Sequence, residues 1–220
     1  MAETVNPSDP APGLRALRVA RTEAQLIDAA TGLFLARGYQ ATTLAEVARS
    51  AGLAPRTVYV RFATKAALFS RVVDRALAGG DARPPVLDQP VLRQAMSGPT
   101  LAGRIGAFAD ACVGIAERVG PLFEVAAQAE GIEPDLAAAF QDGRRETRQL
   151  CAGFWQQARA DGLLDPALDL DNLTTLTDVL VCADTTVHLR RTGAWHPRQH
   201  HALITTTLAA LADSPGAHHP

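Results

Sequence analysis

The sequence predicts an all-α protein of about nine helices, an amino-terminal helix-turn-helix domain followed by a larger helical domain. Three observations carry this. Ala, Leu and Arg are abundant, aromatic residues make up 5% of the chain and runs of β-branched residues are scarce, a composition that favours helix over sheet. Apolar residues recur at helical spacing in blocks punctuated by Gly and Pro. The charge is also divided: from Leu14 to Ala78 ten Arg or Lys stand against four Asp or Glu, and from Gly79 to Pro220 eleven stand against seventeen. A net charge of -2 therefore conceals a basic third at +6 and an acidic remainder at -6, the layout of a nucleic-acid-binding domain joined to something that is not one. The expected organisation is a disordered leader at 1–13, a helix-turn-helix domain at 14–78 and a helical domain at 79–220, with 47% hydrophobic content enough for a real core.

Residues 1–13 carry Pro7, Pro10 and Pro12 and little to bury. Arg15, Arg18 and Arg21 then recur every three residues; they form either a solvated helix face or an arm that reaches phosphates or a minor groove. From about Val19 to Arg37 the positions Leu26, Ile27, Ala30, Leu33 and Phe34 make one apolar face, and Gly38 ends the helix. Thr43 with Glu46 three residues later is a capping box. It opens a short helix that carries Leu44, Val47, Ala48 and Ala51 and stops at Gly52. A second helix begins with Pro55 in its first turn, where the missing N–H does no harm, and buries Val58 and Phe62. Two crossing helices need a small residue at closest approach, a turn-former and then a branched apolar lock, and Ala48, Gly52 and Val58 supply them in that order. The face left over, Pro55, Arg56, Thr57, Tyr59, Val60 and Arg61, is basic, hydroxylic and aromatic, as a helix lying in a major groove would be. Thr64 caps a fourth helix that starts with Lys65 and carries Leu68, Phe69, Val72, Val73 and Leu77. Its amino terminus sets a lysine and free N–H groups beside the DNA backbone.

Through Gly52, Thr57, Tyr59, Phe62 and Lys65 the chain resembles the TetR family of bacterial transcriptional regulators, strongly from Thr22 to about Leu77 and by helix pattern alone beyond. The resemblance implies that Tyr59 and Lys65 contact phosphates and that Arg56, Thr57 and Val60 read bases; Pro55 and Arg61 share the outward face, and Thr43 is a further DNA-binding candidate. Ala54 departs from the pattern: the family often has a serine cap there, and alanine forgoes about 0.5 to 2 kcal/mol of capping.

Gly79, Gly80, Pro84, Pro85, Pro90, Gly98 and Pro99 mark a join that holds at most a short helix near Val91 to Met96. Helices are expected from Leu101 to about Arg118, from Pro121 to Gly131, from Pro134 to Ala160 with Gly143 as a place to kink or split, from Asp169 to Arg191 and from Pro197 to Ala212; the tail from Asp213 should fray. The Asp169 to Arg191 segment is apolar on more than one side, so its own domain and an identical subunit are expected to share it. The family pairs its last two long helices with their twofold mates. That resemblance implies a homodimer interface of Leu176, Leu180, Val187, Leu203, Ile204, Leu208 and Leu211. It also implies a pocket for a small-molecule effector, for which Phe108, Cys112, Ile115, Phe123, Phe154, Trp155, Asp178, Cys182 and His188 are the candidates; ordinary core is the competing reading for the apolar ones. Asp178 and Asp184, acids inside an otherwise apolar helix, each need a partner, water or a ligand cation.

Cys112, Cys151 and Cys182 are far apart without a CxxC, and read as buried thiols of a reducing compartment. His196, His200 and His201 cluster, but Pro197 breaks their helical register, so no metal or other cofactor is expected. There is no Gly-rich phosphate loop, G-x-S-x-G or H-E-x-x-H, so catalysis is not indicated. The first residues lack a signal peptide's basic start and apolar core, and no apolar run approaches the roughly 20 residues of a membrane span; a cytoplasmic protein follows. The expectation is a homodimeric regulator, a repressor on a palindromic double-stranded DNA operator, released by a small molecule. The alternative is a helical ligand-binding or protein-interaction module whose amino-terminal motif no longer reads DNA, against which the +6 charge and the Tyr59 and Lys65 pair both speak.

Overall fold

The structure, a computed structural model, describes residues 12–80 and 89–213. Ten helices run through the described residues, without a strand: α1 (Pro12–Arg37), α2 (Leu44–Ser50), α3 (Pro55–Arg61), α4 (Lys65–Ala78), α5 (Pro90–Ser97), α6 (Leu101–Ala129), α7 (Pro134–Ala160), α8 (Leu170–Val181), α9 (Ala183–Arg191) and α10 (Pro197–Ala212). The chain divides into two compact units, Met1–Val72 and Val73–Pro220, so the division falls inside α4. Most of the expected leader, the residues beyond Asp213 that were expected to fray, and the middle of the join lie outside the described residues. Pro12 and Gly13, expected to be disordered, open α1, because proline at a first helical position forgoes only an N–H that had no partner.

The first unit is built by apolar side chains from four helices. Leu26, Ile27, Ala30 and Phe34 of α1 are buried with Val47 and Ala48 of α2, Val58 of α3 and Leu68, Phe69 and Val72 of α4. Phe34, Tyr39 and Phe69 form an aromatic triad with centroids 4.9 to 5.7 Å apart. Edge-to-face contacts of this kind add about 0.5 to 1.5 kcal/mol beyond area burial.

The second unit packs α6 against α5, α9 and α10, and α7 against α8. Its core joins Leu92, Ile105, Phe108, Val113, Cys151, Phe154, Trp155, Leu173, Ile204 and Leu208. Buried Arg104 ties three segments together, its Nε donating to the Gly98 carbonyl at 2.6 Å and its guanidinium pairing with Asp161 at 2.5 Å.

Two boundaries differ from those the sequence suggests. The two helices expected at 101–118 and 121–131 are one, α6, with Pro121 inside it. Proline there removes one ladder bond, but α9 packs over the spot: a Cβ on Gly120 would lie 2.8 Å from Arg190 Cδ, and Arg190 pairs with Glu124 one turn on. Gly143 does not split α7, which keeps the expected bounds. The helix expected from Asp169 to Arg191 is instead broken at Cys182, whose ψ of 160° is extended. The peptide after Cys182 leaves the helical ladder. The carbonyls thereby released take side-chain donors, Thr185 Oγ1 on Val179 and His200 Nε2–H on Leu180 at 2.8 Å. Arg144 pins the start of α9 through two bonds of 2.8 Å to Asp184 while it also pairs with Glu130 at 2.7 Å.

Candidate nucleic-acid interface and the carboxyl-terminal helices

The helix-turn-helix is set by interactions a few residues long. Thr43 Oγ1 accepts from the Glu46 N–H at 3.3 Å and the Thr43 N–H donates to the Glu46 carboxylate at 3.0 Å, closing the capping box. The Thr43 hydroxyl, which donates to the same carboxylate at 2.8 Å, then the Thr43 N–H and more weakly Arg37, 3.4 Å away, hold the Glu46 carboxyl below its ordinary range. Gly52 has φ of 70°, a left-handed conformation that glycine adopts without penalty. Ala54 stands at the N-cap of α3 with no side-chain bond, and Pro55 follows in the first turn.

Val58, fully buried, and Phe62, 5% exposed, anchor α3. That orientation leaves the opposite face outward: Tyr59 is 56% and Val60 69% exposed, Pro55, Arg56 and Arg61 are exposed, and Thr57 is half-buried. Two of these are large apolar or aromatic side chains in water beside two arginines, with no acid on α3. Such a face offers bidentate guanidinium donors for base edges and phosphates and an apolar patch for thymine methyl groups.

Lys65, the first residue of α4, is half-buried. Its ammonium donates to the Tyr39 carbonyl at 2.9 Å and sits 4.2 Å from the centroid of the Tyr39 ring. An ammonium has three donors, so the tie fixes its position and leaves donors for an anion. Tyr39, 2% exposed, is thus a positioning residue that the sequence reading passed over. The signal for it was an aromatic residue directly after the helix-ending Gly38. Thr64 Oγ1 caps α4 by accepting from the Ala67 N–H at 3.0 Å.

Of the residues singled out for a ligand, Phe108, Phe154 and Trp155 share one cluster with Cys112 packed against it, and Asp178 and Cys182 come into electrostatic range of Cys151 in that cluster. Phe108, Phe154 and Trp155 are fully buried and pack on one another with centroids 4.7 and 4.9 Å apart, and the Trp155 indole N–H donates to Thr177 Oγ1 at 2.8 Å. They are core, as is natural for aromatic residues at helical spacing. Phe123 packs on Phe140, and Ile115 is half-buried on α6. His188 is exposed on α9 and departs from the set, because the break at Cys182 resets the helical phase beyond it. Asp178 is half-buried, and desolvation raises its carboxyl pKa against the pull of nearby Arg148. Buried Cys151 comes into electrostatic range of both Cys112 and Cys182 although the three are far apart in sequence. Burial pushes the Cys151 thiol up to about 12 and raises Cys112 as well, which favours neutral thiols over reactive thiolates. Asp184 is committed to Arg144, whose hydrogen bonds lower its pKa.

Of the residues expected at a dimer interface, three are turned inward. Val187 is 7% exposed, and Ile204 and Leu208 are fully buried inside their own protomer. Leu176, Leu180 and Leu211 are half-buried, and Leu180 and Leu211 pack on the core. The large apolar side chains that do face outward are Leu203 at 48% and, on α8, Val179 at 57%, with Ala202, Thr206, Ala209 and Ala210 exposed along α10. Helical period alone could not choose between two apolar faces of one helix. Of the histidines, His200 is buried on the Leu180 carbonyl, His201 sits 3.1 Å from Asp110, and His196 is exposed. Among the described residues no helix is long and apolar enough to cross a membrane.

Residues 26–72 match the family model described as bacterial regulatory proteins, tetR family. The HTH-type transcriptional regulator TcmR of Streptomyces glaucescens is 36% identical over 156 residues, 62% of this chain and 68% of that protein. Among solved structures, a TetR-family regulator from Mesorhizobium loti superposes with a TM-score of 0.69 at 21% identity, over 88% of this chain and 96% of the other. MexZ, a repressor responsible for antibiotic resistance in Pseudomonas aeruginosa, gives 0.62 at 18%, over 89% and 96%. Both show the same fold.

Proposed function

Because the chain belongs to the TetR family of bacterial regulatory proteins and is a DNA-binding transcriptional regulator, we propose that it acts as a homodimeric repressor. It binds a palindromic operator through residues 14–78 and is released by a small molecule held in residues 79–220, without catalysis. The observation that carries this reading is the outward face of α3, with Arg56, Tyr59, Val60 and Arg61 exposed over a buried Val58 anchor. Arg56, Thr57 and Val60 read bases, Tyr59 and Lys65 grip phosphates, and Thr43, Pro55 and Arg61 border them.

The dimer follows from affinity. Specific sites need a Kd of about 10⁻⁸ to 10⁻¹¹ M, and paired half-sites are how a small helix-turn-helix reaches it. Val179 and Leu203, with the small residues of α10 around Leu203, are the surface for the mate. Release of DNA has a mechanical handle in α4, whose last carbonyls at Ala76 and Leu77 accept from Arg118 of α6 at 3.2 Å. A ligand that moves α6 pulls on α4, shifts the spacing of the paired recognition helices and costs the simultaneous engagement of two half-sites. Asp178 and Cys182, half-buried and both in electrostatic range of Cys151, are the polar candidates for that ligand's contact.

The test is footprinting on the intergenic DNA beside the gene, with sedimentation in parallel. An inverted repeat protected by a dimer is expected. Leu203→Glu should give a folded monomer that no longer footprints, whereas Leu208→Glu should unfold because it buries a charge in the protomer core. A wild-type monomer at micromolar concentration, or a Leu203→Glu chain that dimerises and footprints normally, would sink the dimeric reading.

A further inference from the structure

The first turns of α1 take no part in the core. Residues 13–18, 20 and 21 are exposed, including Leu14 at 54% and Leu17 at 67%, and burial begins only at Leu26. Arg15, Arg18 and Arg21 lie three apart on this stretch, the first acid after Pro12 is Glu23, and none of the three guanidinium groups makes an ion pair among the described residues. Like charges three apart on a helix repel, and an unpacked helical extension of this length is marginal in water. A polyanion would relieve the repulsion.

The path of α1 bears on which polyanion. Glu23 pairs with Arg71 at 3.0 Å, and Phe34 meets Phe69 at 4.9 Å. About 16 Å of α1 thus spans only about 3 Å of α4, so α1 crosses α4 steeply and its first turns leave sideways. Arg71 lies about 9 Å along α4 from Lys65, whose ammonium stands at the phosphate-facing end of that helix. The three arginines therefore stand on a helical extension that leaves the first unit to one side of α4.

We propose that Arg15, Arg18 and Arg21 form a second phosphate-contacting surface that grips the duplex outside the base pairs read by α3. This rests on the DNA-binding reading above. The contact is electrostatic and blind to sequence, and it raises affinity and salt dependence without altering which operator is chosen.

The test uses a duplex selected from random sequence by the full wild-type chain, either trimmed to the selected core or extended by about one helical turn on each side. Each phosphate contact contributes roughly 0.9 to the slope of log K against log salt. Replacing all three arginines by glutamine should therefore lower the slope on the extended duplex by about 3 to 5 for a dimer. Base preference should stay unchanged, trimming the wild type's duplex should produce the same loss, and the triple Arg→Lys variant should restore the slope. Equal slopes for wild type and the glutamine variant on the extended duplex would overturn the proposal. So would a Leu14→Ala/Leu17→Ala variant that reproduces the loss, since that would make the surface an apolar dock. A wild-type chain that selects no duplex would remove the DNA-binding reading itself and this proposal with it, an outcome distinct from equal slopes.

Discussion

Two of the tight helix junctions among the described residues make an instructive pair, α2 into α3 at Gly52 and α8 into α9 at Cys182. The first corner is written locally. Gly52 takes φ of 70°, the Leu53 N–H closes back on the Ala48 carbonyl at 2.8 Å, and Pro55 restarts the helix. The second contains no glycine or proline. Cys182 has an ordinary φ of -66°, and the break persists because Thr185, His200 and Arg144 take up the carbonyls and the carboxylate around it. A turn on which function depends directly is stabilised by backbone preference. A break inside a packed bundle depends on side chains from elsewhere in the fold, and should be softer.

The largest effect should come from Gly52→Val. No heavy atom lies within 4 Å of a Cβ built there, so the cost is conformational, about 2 kcal/mol for a side chain in the left-handed region. Chemical denaturation should register that loss and operator binding should fall with it. A variant as stable as wild type would show that the corner is not held by the glycine.

Arg144→Gln should cost less, about 1 kcal/mol, because Asp184 is 60% and Arg144 32% exposed and solvent screens the pair. The cost should depend on pH with a definite sign. Arg144 lowers the Asp184 pKa in the folded chain, so the contribution is fully present above the ordinary aspartate range and is lost as pH falls through the depressed value. Wild type and variant should therefore begin to converge in stability below about pH 3.9 and become equal only below the depressed value, and a difference that persists in stronger acid would assign the effect to packing alone.

The smallest effect belongs to Cys182→Ala. Its dihedral angles suit any residue, and the thiol makes only long contacts of 3.4 and 3.7 Å with Thr185 and the Val179 carbonyl. A change within about 0.5 kcal/mol and unaltered helical content by circular dichroism are expected. A marked gain in helix would mean that the cysteine itself breaks the α8–α9 segment.

Much of the candidate DNA surface was legible because its determinants lie close together in sequence. Thr43 and Glu46 are three residues apart, Val58 and Phe62 four, and burying that pair dictates which way Arg56, Tyr59 and Val60 point. Lys65 was legible as a position, but its tie to Tyr39 was not, since the two are 26 residues apart. The ligand and dimer candidates were harder. Trp155, Phe154 and Phe108 carry the pattern of a core and of a pocket alike, and only their contacts with one another and with Thr177 assign them to the core.

The sequence by itself determined the all-α class, the helix-turn-helix, its caps and its basic surface, because hydrophobic period, capping and glycine conformation act over three to seven residues. The tertiary structure alone decided that Pro121 stays inside α6, that the helix breaks at Cys182, and that α10 turns Ile204 and Leu208 inward and Leu203 outward. Periodicity shows that a helix has apolar faces, but which body covers each face depends on side chains such as Arg190 and His200 that arrive from distant parts of the chain.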